Sequence, residues 1–258
     1  MAVHETAIVH PTAELADGVS VGPYTIIGEG VRIAEGTWIG PHVVIDRWTS
    51  IGANCRIYQY ASIGTPAQHL KYRGEETYVI IGDNNVIREF VTINRGTLIG
   101  DGKTEIGDNN FIMAYAHIAH DCKLGNNVIM ANAAQLAGHV IVEDNAVIGG
   151  VVAVHQFVRI GRFAFIGGAT SVPQDIPPYV TASGMRAKLY GINVLNLKRH
   201  GFTDEVINAL KKAYRLVFRS HLTLREALQQ IREAPIFEYP EVQHFVNFLE
   251  ESKRGITR

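Results

Sequence analysis

Large aliphatic residues recur at every sixth position along most of this chain. They stand at Val3, Val9, Leu15, Val21, Ile27, Ile33, Ile39, Ile45, Ile51, Ile57 and Ile63. The phase resumes at Ile81, Ile87, Ile93 and Ile99 and then takes one extra residue. It runs on from Ile106 through Ile112, Ile118, Leu124, Met130, Leu136, Val142, Ile148, Val154, Ile160 and Ile166 to Val172. A period of six is neither the 3.6 of a helix nor the free alternation of a strand, so it reads as a short strand and a turn, repeated. Three such units close a three-sided coil of about 18 residues, with the aliphatic side chains pointing inward. Coils stacked at roughly 4.8 Å hydrogen-bond along the axis as parallel strands, which makes nine coils a prism about 43 Å long.

Two further positions in the hexad support this reading. The fourth residue after the aliphatic is small or β-branched (Thr25, Thr37, Val43, Thr49, Cys55, Ala61, Ala116, Cys122, Ala134, Ala146, Ala164), which fills the interior near each corner. The residue directly after the aliphatic is often glycine (Gly22, Gly28, Gly40, Gly52, Gly107, Gly125, Gly149, Gly161), expected where a corner needs positive φ or a close backbone approach. From about residue 191 the period of six vanishes. Thr203 with Asp204 and Glu205 opens an amphipathic helix to about Phe218, the Thr223/Glu226 pair reads as a capping box for a second, and Pro240 with Glu241 opens a third. The expected organisation is an all-β prism over residues 1–190 and a helical unit over 191–258. Ile207, Leu210, Tyr214 and Val217 form the face by which that unit packs.

The repeat breaks twice. Over residues 65–79 the hexad positions become His69 and Glu75, so this stretch must leave the wall as a loop, carrying Gln68, Lys71, Tyr72 and Arg73. A shorter insertion at 101–105 reads as a turn. Histidines gather in the middle coils at His117, His120, His139 and His155. An eighteen-residue coil stacks His120 under Gly138, beside His139, and Ala137 under His155. The outward positions of the same coils are apolar for an exposed wall (Phe111, Met113, Ala114, Ala119, Ala131, Ala133, Ala137, Ala153, Phe157, Phe165), which suggests a subunit interface or an acyl groove.

A net charge of -1 marks the chain as neither a nucleic-acid nor an anionic-membrane binder. No apolar run is long enough for a membrane span and no secretion signal opens the sequence, so the expected compartment is the cytoplasm. Two cysteines, Cys55 and Cys122, without CxxC spacing exclude a disulfide framework or a four-cysteine zinc site.

The hexads resemble the hexapeptide-repeat transferase superfamily, and that resemblance implies a left-handed parallel β-helix, against the usual right-handed crossover. The ordered segments AHIAHDC (116–122), AGHV (137–140), AVHQF (153–157), QDIPPYV (174–180) and GINVLNLKRHGF (191–202) are more specific. With the QHLKY loop and the helical tail, they resemble the UDP-N-acetylglucosamine O-acyltransferase family of lipid A synthesis over essentially the whole chain. The resemblance implies a homotrimer that moves a 3-hydroxyacyl chain from acyl carrier protein to the sugar 3-position, without cofactor or metal. It places the general base on His120, with Asp121 orienting the imidazole and the Gly138 N–H as oxyanion donor. A sugar hydroxyl attacking a thioester needs its proton removed in the transition state, which an imidazole near neutrality suits. The same resemblance puts His117, His139 and His155 at the sugar and acyl pocket, and Gln156, Asn193 and Arg199 on the nucleotide and its phosphates. It puts Gln68, His69 and Lys71 on the reaching loop, and Gly168 where a small residue leaves an acyl groove open.

Three positions depart from the family pattern. His69 stands for a common aspartate, His200 for a second arginine, and Arg186 for a histidine that closes the acyl groove. The first keeps a 3-amino acceptor as an alternative. A UDP-acylglucosamine N-acyltransferase is a second alternative, but it usually carries an added N-terminal domain, whereas hexads here begin at Val3. A zinc-dependent hydration enzyme on the same prism, using His117, His120 and His139, would leave the loop and the helical tail without purpose. A non-catalytic scaffold would have flatter, uninterrupted faces.

Overall fold

The computed structural model describes residues 2–258. Among them, two- to five-residue strands form three sheets of eleven, nine and eight strands, in which strands adjacent in space are one coil apart in sequence. The first face begins with Ala2–Val3, the second with Ile8–Val9 and the third with Glu14–Leu15. All pairings along the wall are parallel, and Ile57 pairs with Ile39 just as Leu136 pairs with Ile118, eighteen residues apart. The architecture is a left-handed parallel β-helix. Its interior is the ladder of aliphatics the period predicts, fully buried from Val21 to Val172 with the exceptions given below. Each such side chain contributes about 1.5–3 kcal/mol by leaving water. The small positions Thr25, Cys55, Ala116, Cys122 and Ala164 are buried beside them. Val3, Val9 and Leu15 are less covered because they lie in the first coil, at the open end of the stack.

The first break has the length that the two lost hexad positions imply, and the second is longer than the phase of the aliphatics suggests. Ile51 pairs with Ile81, thirty residues on, so the first excursion adds twelve residues to a coil of eighteen. Ile81 pairs with Ile106, twenty-five residues on, so the second adds seven rather than one. Ile99, expected to point inward, is instead 60% exposed on a turn, its phase with Ile93 a coincidence of loop length.

The glycine expectation divides. Gly22, Gly40, Gly52, Gly125 and Gly161 have ordinary φ, and a Cβ at any of them would fall within about 3.1 Å of a neighbouring coil's backbone, so close approach is their reason. Positive φ falls two residues later, on non-glycine residues including Tyr24, His42, Asn54, Asn127, Asp121, His139 and Phe157. Side chains at these corners therefore project from the edges, one above another.

The wall closes with an antiparallel hairpin, Val180–Ser183 with Lys188–Ile192. Four helices follow: α1 (Val194–Arg199), α2 (Asp204–Phe218), α3 (Leu224–Glu233) and α4 (Pro240–Glu250). The expected caps are present, Thr203 accepting from the Val206 N–H and Thr223 forming a reciprocal capping box with Glu226. Ile207, Leu210, Tyr214 and Val217 of α2 are buried where α2 packs against the hairpin, α3 and α4. The last residues return to the wall, where Asp175 bridges Ile256.

Candidate active site at one edge of the prism

His120 and Asp121 form the corner between strands His117–Ile118 of the second face and Lys123–Leu124 of the third. Asp121 has φ of 62°, which turns its carboxylate back along the edge. The ring Nδ1 of His120 lies 2.8 Å from Asp121 Oδ2, leaving Nε2 directed outward. The carboxylate also accepts from the Thr97 N–H at 2.9 Å and the Thr97 hydroxyl at 2.7 Å, and the Asp121 N–H donates to Thr104 Oγ1 at 2.9 Å. Burial works to raise the Asp121 carboxyl, but the bonds from His120 and Thr97 and the nearby His139 outweigh it and hold the group below its ordinary value. Asp121 is thus a fixed anion behind the imidazole.

Gly138 sits one coil on. A Cβ there would come within 2.5 Å of His120 Cε1 and 2.8 Å of Nε2, so only glycine lets the imidazole lie against the next coil. Among the described residues the Gly138 N–H has no hydrogen-bond acceptor. His139, with φ of 62°, stacks on Phe157 at 4.5 Å and approaches Asp121 Oδ2 with Nε2 at 3.6 Å. Burial keeps both His139 and His117 below the ordinary histidine pKa. His117 Nδ1 is hydrogen-bonded to the Thr92 hydroxyl at 2.7 Å, which fixes its ring.

The first excursion brings the loop over this edge. The loop base is tied by Asn94, which donates to Thr65 Oγ1 and the Pro66 carbonyl, and by buried Arg95, paired with Asp46 at 2.5 Å. Its tip sets His69 edge-on to His120, 5.2 Å between ring centres. Gln68, His69, Leu70 and Lys71 roof a cavity of about 660 Å³ whose floor is His117, His120, Gln135, Gly138, Ala153 and Gln156. His155 lies beside it, with Nδ1 accepting from Arg254 at 2.9 Å.

Of the residues expected at the site, Gln68, His69, Lys71, His117, His120, Asp121, Gly138, His139, His155 and Gln156 therefore meet on the edge between the second and third faces. The rest do not. Gly168 follows Gly167 at the edge between the first and second faces. Asn193 is buried at the edge between the third and first faces, donating to the Phe163 carbonyl at 3.0 Å, and Arg199 ends α1 beside it.

Thr97, Gly100 and Thr104 escaped the sequence reading, which took only 101–105 for a turn. The turn spans residues 98–101, between Thr97 and the strand Lys103–Ile106 that carries Thr104, and it cradles Asp121: a Cβ on Gly100 would lie 2.4 Å from Asp121 Oδ1. The signal was the break in period itself, directly upstream of the histidine coils. Arg254 also escaped, with no pattern linking it to His155. Ligand atoms of His120, Asp121 and His139 lie within 4.8 Å of one another, a set that could hold a cation, although the Asp121 oxygens already accept three hydrogen bonds.

Comparison with known proteins decides the family. Residues 175–257 match the model "Udp N-acetylglucosamine O-acyltransferase; Domain 2", and residues 103–138 match the bacterial transferase hexapeptide model. The acyl-[acyl-carrier-protein]--UDP-N-acetylglucosamine O-acyltransferase of Thermodesulfovibrio yellowstonii is 57% identical over 99% of both chains, and that of Anaeromyxobacter dehalogenans is 54% identical over the full length of both. The chain belongs to the UDP-N-acetylglucosamine O-acyltransferase family. The crystal structure of the UDP-N-acetylglucosamine O-acyltransferase of Moraxella catarrhalis covers all of both chains with a TM-score of 0.97 at 43% identity. The Arabidopsis UDP-N-acetylglucosamine acyltransferase, 39% identical over 99% of this chain and all of that one, superposes with a TM-score of 0.88. The loop, the edge and the helical unit thus all lie within the part shared with this acyltransferase family. No helix among the described residues is long and apolar enough to cross a membrane.

Proposed function

We infer that this protein transfers an acyl chain from acyl carrier protein to a hydroxyl of UDP-N-acetylglucosamine, the reaction named for its relatives. The observation that carries the mechanism is the His120–Asp121 pair, with Nε2 of the imidazole free above a glycine whose N–H is also free. In the proposed step the sugar hydroxyl gives its proton to His120 Nε2 as its oxygen bonds to the thioester carbonyl carbon. The carbonyl becomes an oxyanion, held by the Gly138 N–H, and Asp121 stabilises the imidazolium. Collapse breaks the carbon–sulfur bond, and the departing thiolate takes the proton back from His120. No covalent enzyme intermediate and no metal enters.

His117, His139, His155 and Gln156 are assigned to the sugar and acyl pocket, with Gln68, His69 and Lys71 closing it from the loop. Gly168, Asn193 and Arg199 lie on the other two edges, so one chain cannot bring them to its own His120. Three copies side by side can, each edge facing a neighbour's, and a homotrimer is accordingly the proposed working unit. Leu70, 96% exposed at the loop tip, supports this as an apolar side chain placed to meet another copy. The hydroxyl acceptor is favoured over the 3-amino sugar because the relatives named above are O-acyltransferases.

The test is to incubate the protein with UDP-N-acetylglucosamine, or its 3-amino analogue, and acyl carrier proteins loaded with chains of different length, reading products by mass spectrometry. An O-acylated UDP-sugar is expected. His120→Ala should lower the rate at least about 100-fold with the fold intact, and retention of a tenth of the activity removes His120 as base.

A further inference from the structure

Asp46, Thr65 and Arg95 belong to three consecutive coils at the same edge. Ile45 pairs with Ile63 and Ile63 with Ile93, so the coil that throws out the loop lies between the coil of Asp46 and the coil of Arg95. Arg95 is nevertheless bonded to Asp46, Nη2 to Oδ2 at 2.5 Å, across forty-nine residues of sequence. Its side chain therefore spans the opening where the loop leaves the wall, and it is 1% exposed there. The guanidinium also lies 5.0 Å from the centre of the Trp48 ring.

The backbone beside it gathers both ends of the loop. The Arg95 N–H donates to the Thr65 carbonyl at 3.0 Å, where the loop departs, and the Gly96 N–H donates to the Tyr78 carbonyl at 3.2 Å, where it returns. Gly96 is packed so closely on the strand Lys103–Ile106 that a Cβ there would overlap the Lys103 nitrogen. The next residue, Thr97, gives the two bonds that hold the Asp121 carboxylate behind His120. One four-residue stretch, 94–97, thus touches both the loop that roofs the cavity and the acid that orients the base.

An ion pair buried this deeply is a poor source of stability. Arg95 meets one carboxylate oxygen, and its Nε has no acceptor among the described residues. An apolar side chain of the same shape commonly holds a fold as well or better, because no charge then has to be taken out of water. What the pair supplies is a fixed place, a directional bond to the wall with the two ends of the loop held beside it.

We propose that Arg95 is a positioning residue for the reaction. By spanning the neck of the loop to Asp46, it sets the height of Gln68, His69 and Lys71 over His120 and, through Gly96, the place of Thr97 against Asp121. The assignment rests on the acyl-transfer reading and deepens it, since it makes the sugar-binding roof and the anion behind the base depend on one side chain. Buried as it is, Arg95 acts only through these neighbours and touches no substrate.

The experiment compares wild type with Arg95→Lys, Arg95→Met and Asp46→Asn/Arg95→Met. Lysine keeps one donor for the one oxygen Arg95 uses, and methionine keeps bulk without the bond. The paired variant leaves no lone carboxylate and still offers an oxygen to the Arg47 N–H. In both methionine variants, amide exchange at Tyr78, Gly96 and Thr97 should quicken at least about tenfold, while exchange at Gln135 and Leu136 keeps the wild-type rate. The KM for UDP-N-acetylglucosamine should rise and kcat should fall, each at least about fivefold, and lysine should return both to within about threefold of wild type. A residue that only stabilises the fold would lower the thermal midpoint and leave exchange at the neck and the kinetics as they were. That result overturns the proposal, as does faster exchange with unchanged kinetics, or a lysine variant no better than methionine. Should Arg95→Met alone fail to fold, the paired and lysine variants decide on the same readings. Wild-type protein that transfers no acyl chain to the sugar sinks the acyl-transfer reading instead, and the exchange comparison still reports whether Arg95 holds the loop.

Discussion

A methyl group on Gly138 would stand 2.5 Å from His120 Cε1, so the two residues are a single geometric unit although eighteen positions separate them. Gly138→Ala should leave the coil intact, since Gly138 has no positive φ to maintain, yet force the imidazole off the edge. The expected outcome is a fall in kcat of about 100-fold with a thermal midpoint within a few degrees of wild type, the scale of losing alignment and an oxyanion donor together. A variant of normal activity would mean that His120 does its work in another position. Protonation offers a second check at this scale. Burial keeps His117 and His139 below the ordinary histidine value, so as pH falls below about 6.5 the unfolded chain takes up protons that the folded one refuses, and stability declines. Asp121, held below its ordinary 3.8, contributes stability that is present above that value and lost as pH falls through its lower folded value. Both effects have the same sign. Only the histidine effect falls between pH 7.5 and 5.5, so urea midpoints should drop across that range on its account, and His117→Gln/His139→Gln should flatten that slope; an unchanged slope in the double variant would show that other groups set it.

At the scale of elements, the loop and turn inserted into the repeat do more than decorate it. The seven-residue insertion folds Thr97 and Gly100 around the Asp121 carboxylate, Thr104 on the strand after it accepts the Asp121 N–H, and the twelve-residue insertion hangs His69 over His120. Thr97→Val keeps the N–H bond to Asp121 and deletes the hydroxyl bond. A bond to a charged group is worth about 1.5–3 kcal/mol, so kcat should fall on the order of tenfold or more while the KM for the sugar nucleotide stays put. A change in KM alone would place the turn in binding rather than in orienting the base. The wall was legible in the sequence because one inward aliphatic per hexad leaves little freedom, and Ile57 over Ile39 follows from counting. The insertions were legible only as interruptions. Ile99 kept the phase by chance, so the length of its excursion could not be counted, and the contacts from Thr97 to Asp121 across twenty-four residues had no period to reveal them. The same holds for Arg254 and His155, ninety-nine residues apart and joined only because the tail folds back. The four edge residues His120, Asp121, Gly138 and His139 were legible because the coil length that builds the wall also stacks them.

At the scale of the molecule, a three-sided prism puts a problem to any site that needs residues from more than one edge. His120 lies on one edge and Asn193 and Arg199 on another, and a stiff core of stacked aliphatics gives no hinge by which one chain could bring them together. If neighbouring copies supply them, two defective proteins should rescue each other. His120→Ala keeps a sound Arg199, and Arg199→Ala keeps a sound His120. After unfolding and refolding a one-to-one mixture, a site regains both when an Arg199→Ala copy lends its base to a His120→Ala neighbour. In a closed ring of three with one site per interface, random assembly makes that pairing in about a quarter of the sites. Activity of the co-refolded mixture should approach a quarter of wild type, while each variant refolded alone, or the two mixed without unfolding, stays near background. Activity that remains at background after co-refolding, with ring formation verified by sedimentation, would show that Arg199 does not serve the neighbour's site, and the nucleotide would then have to be held by residues of the His120 edge alone.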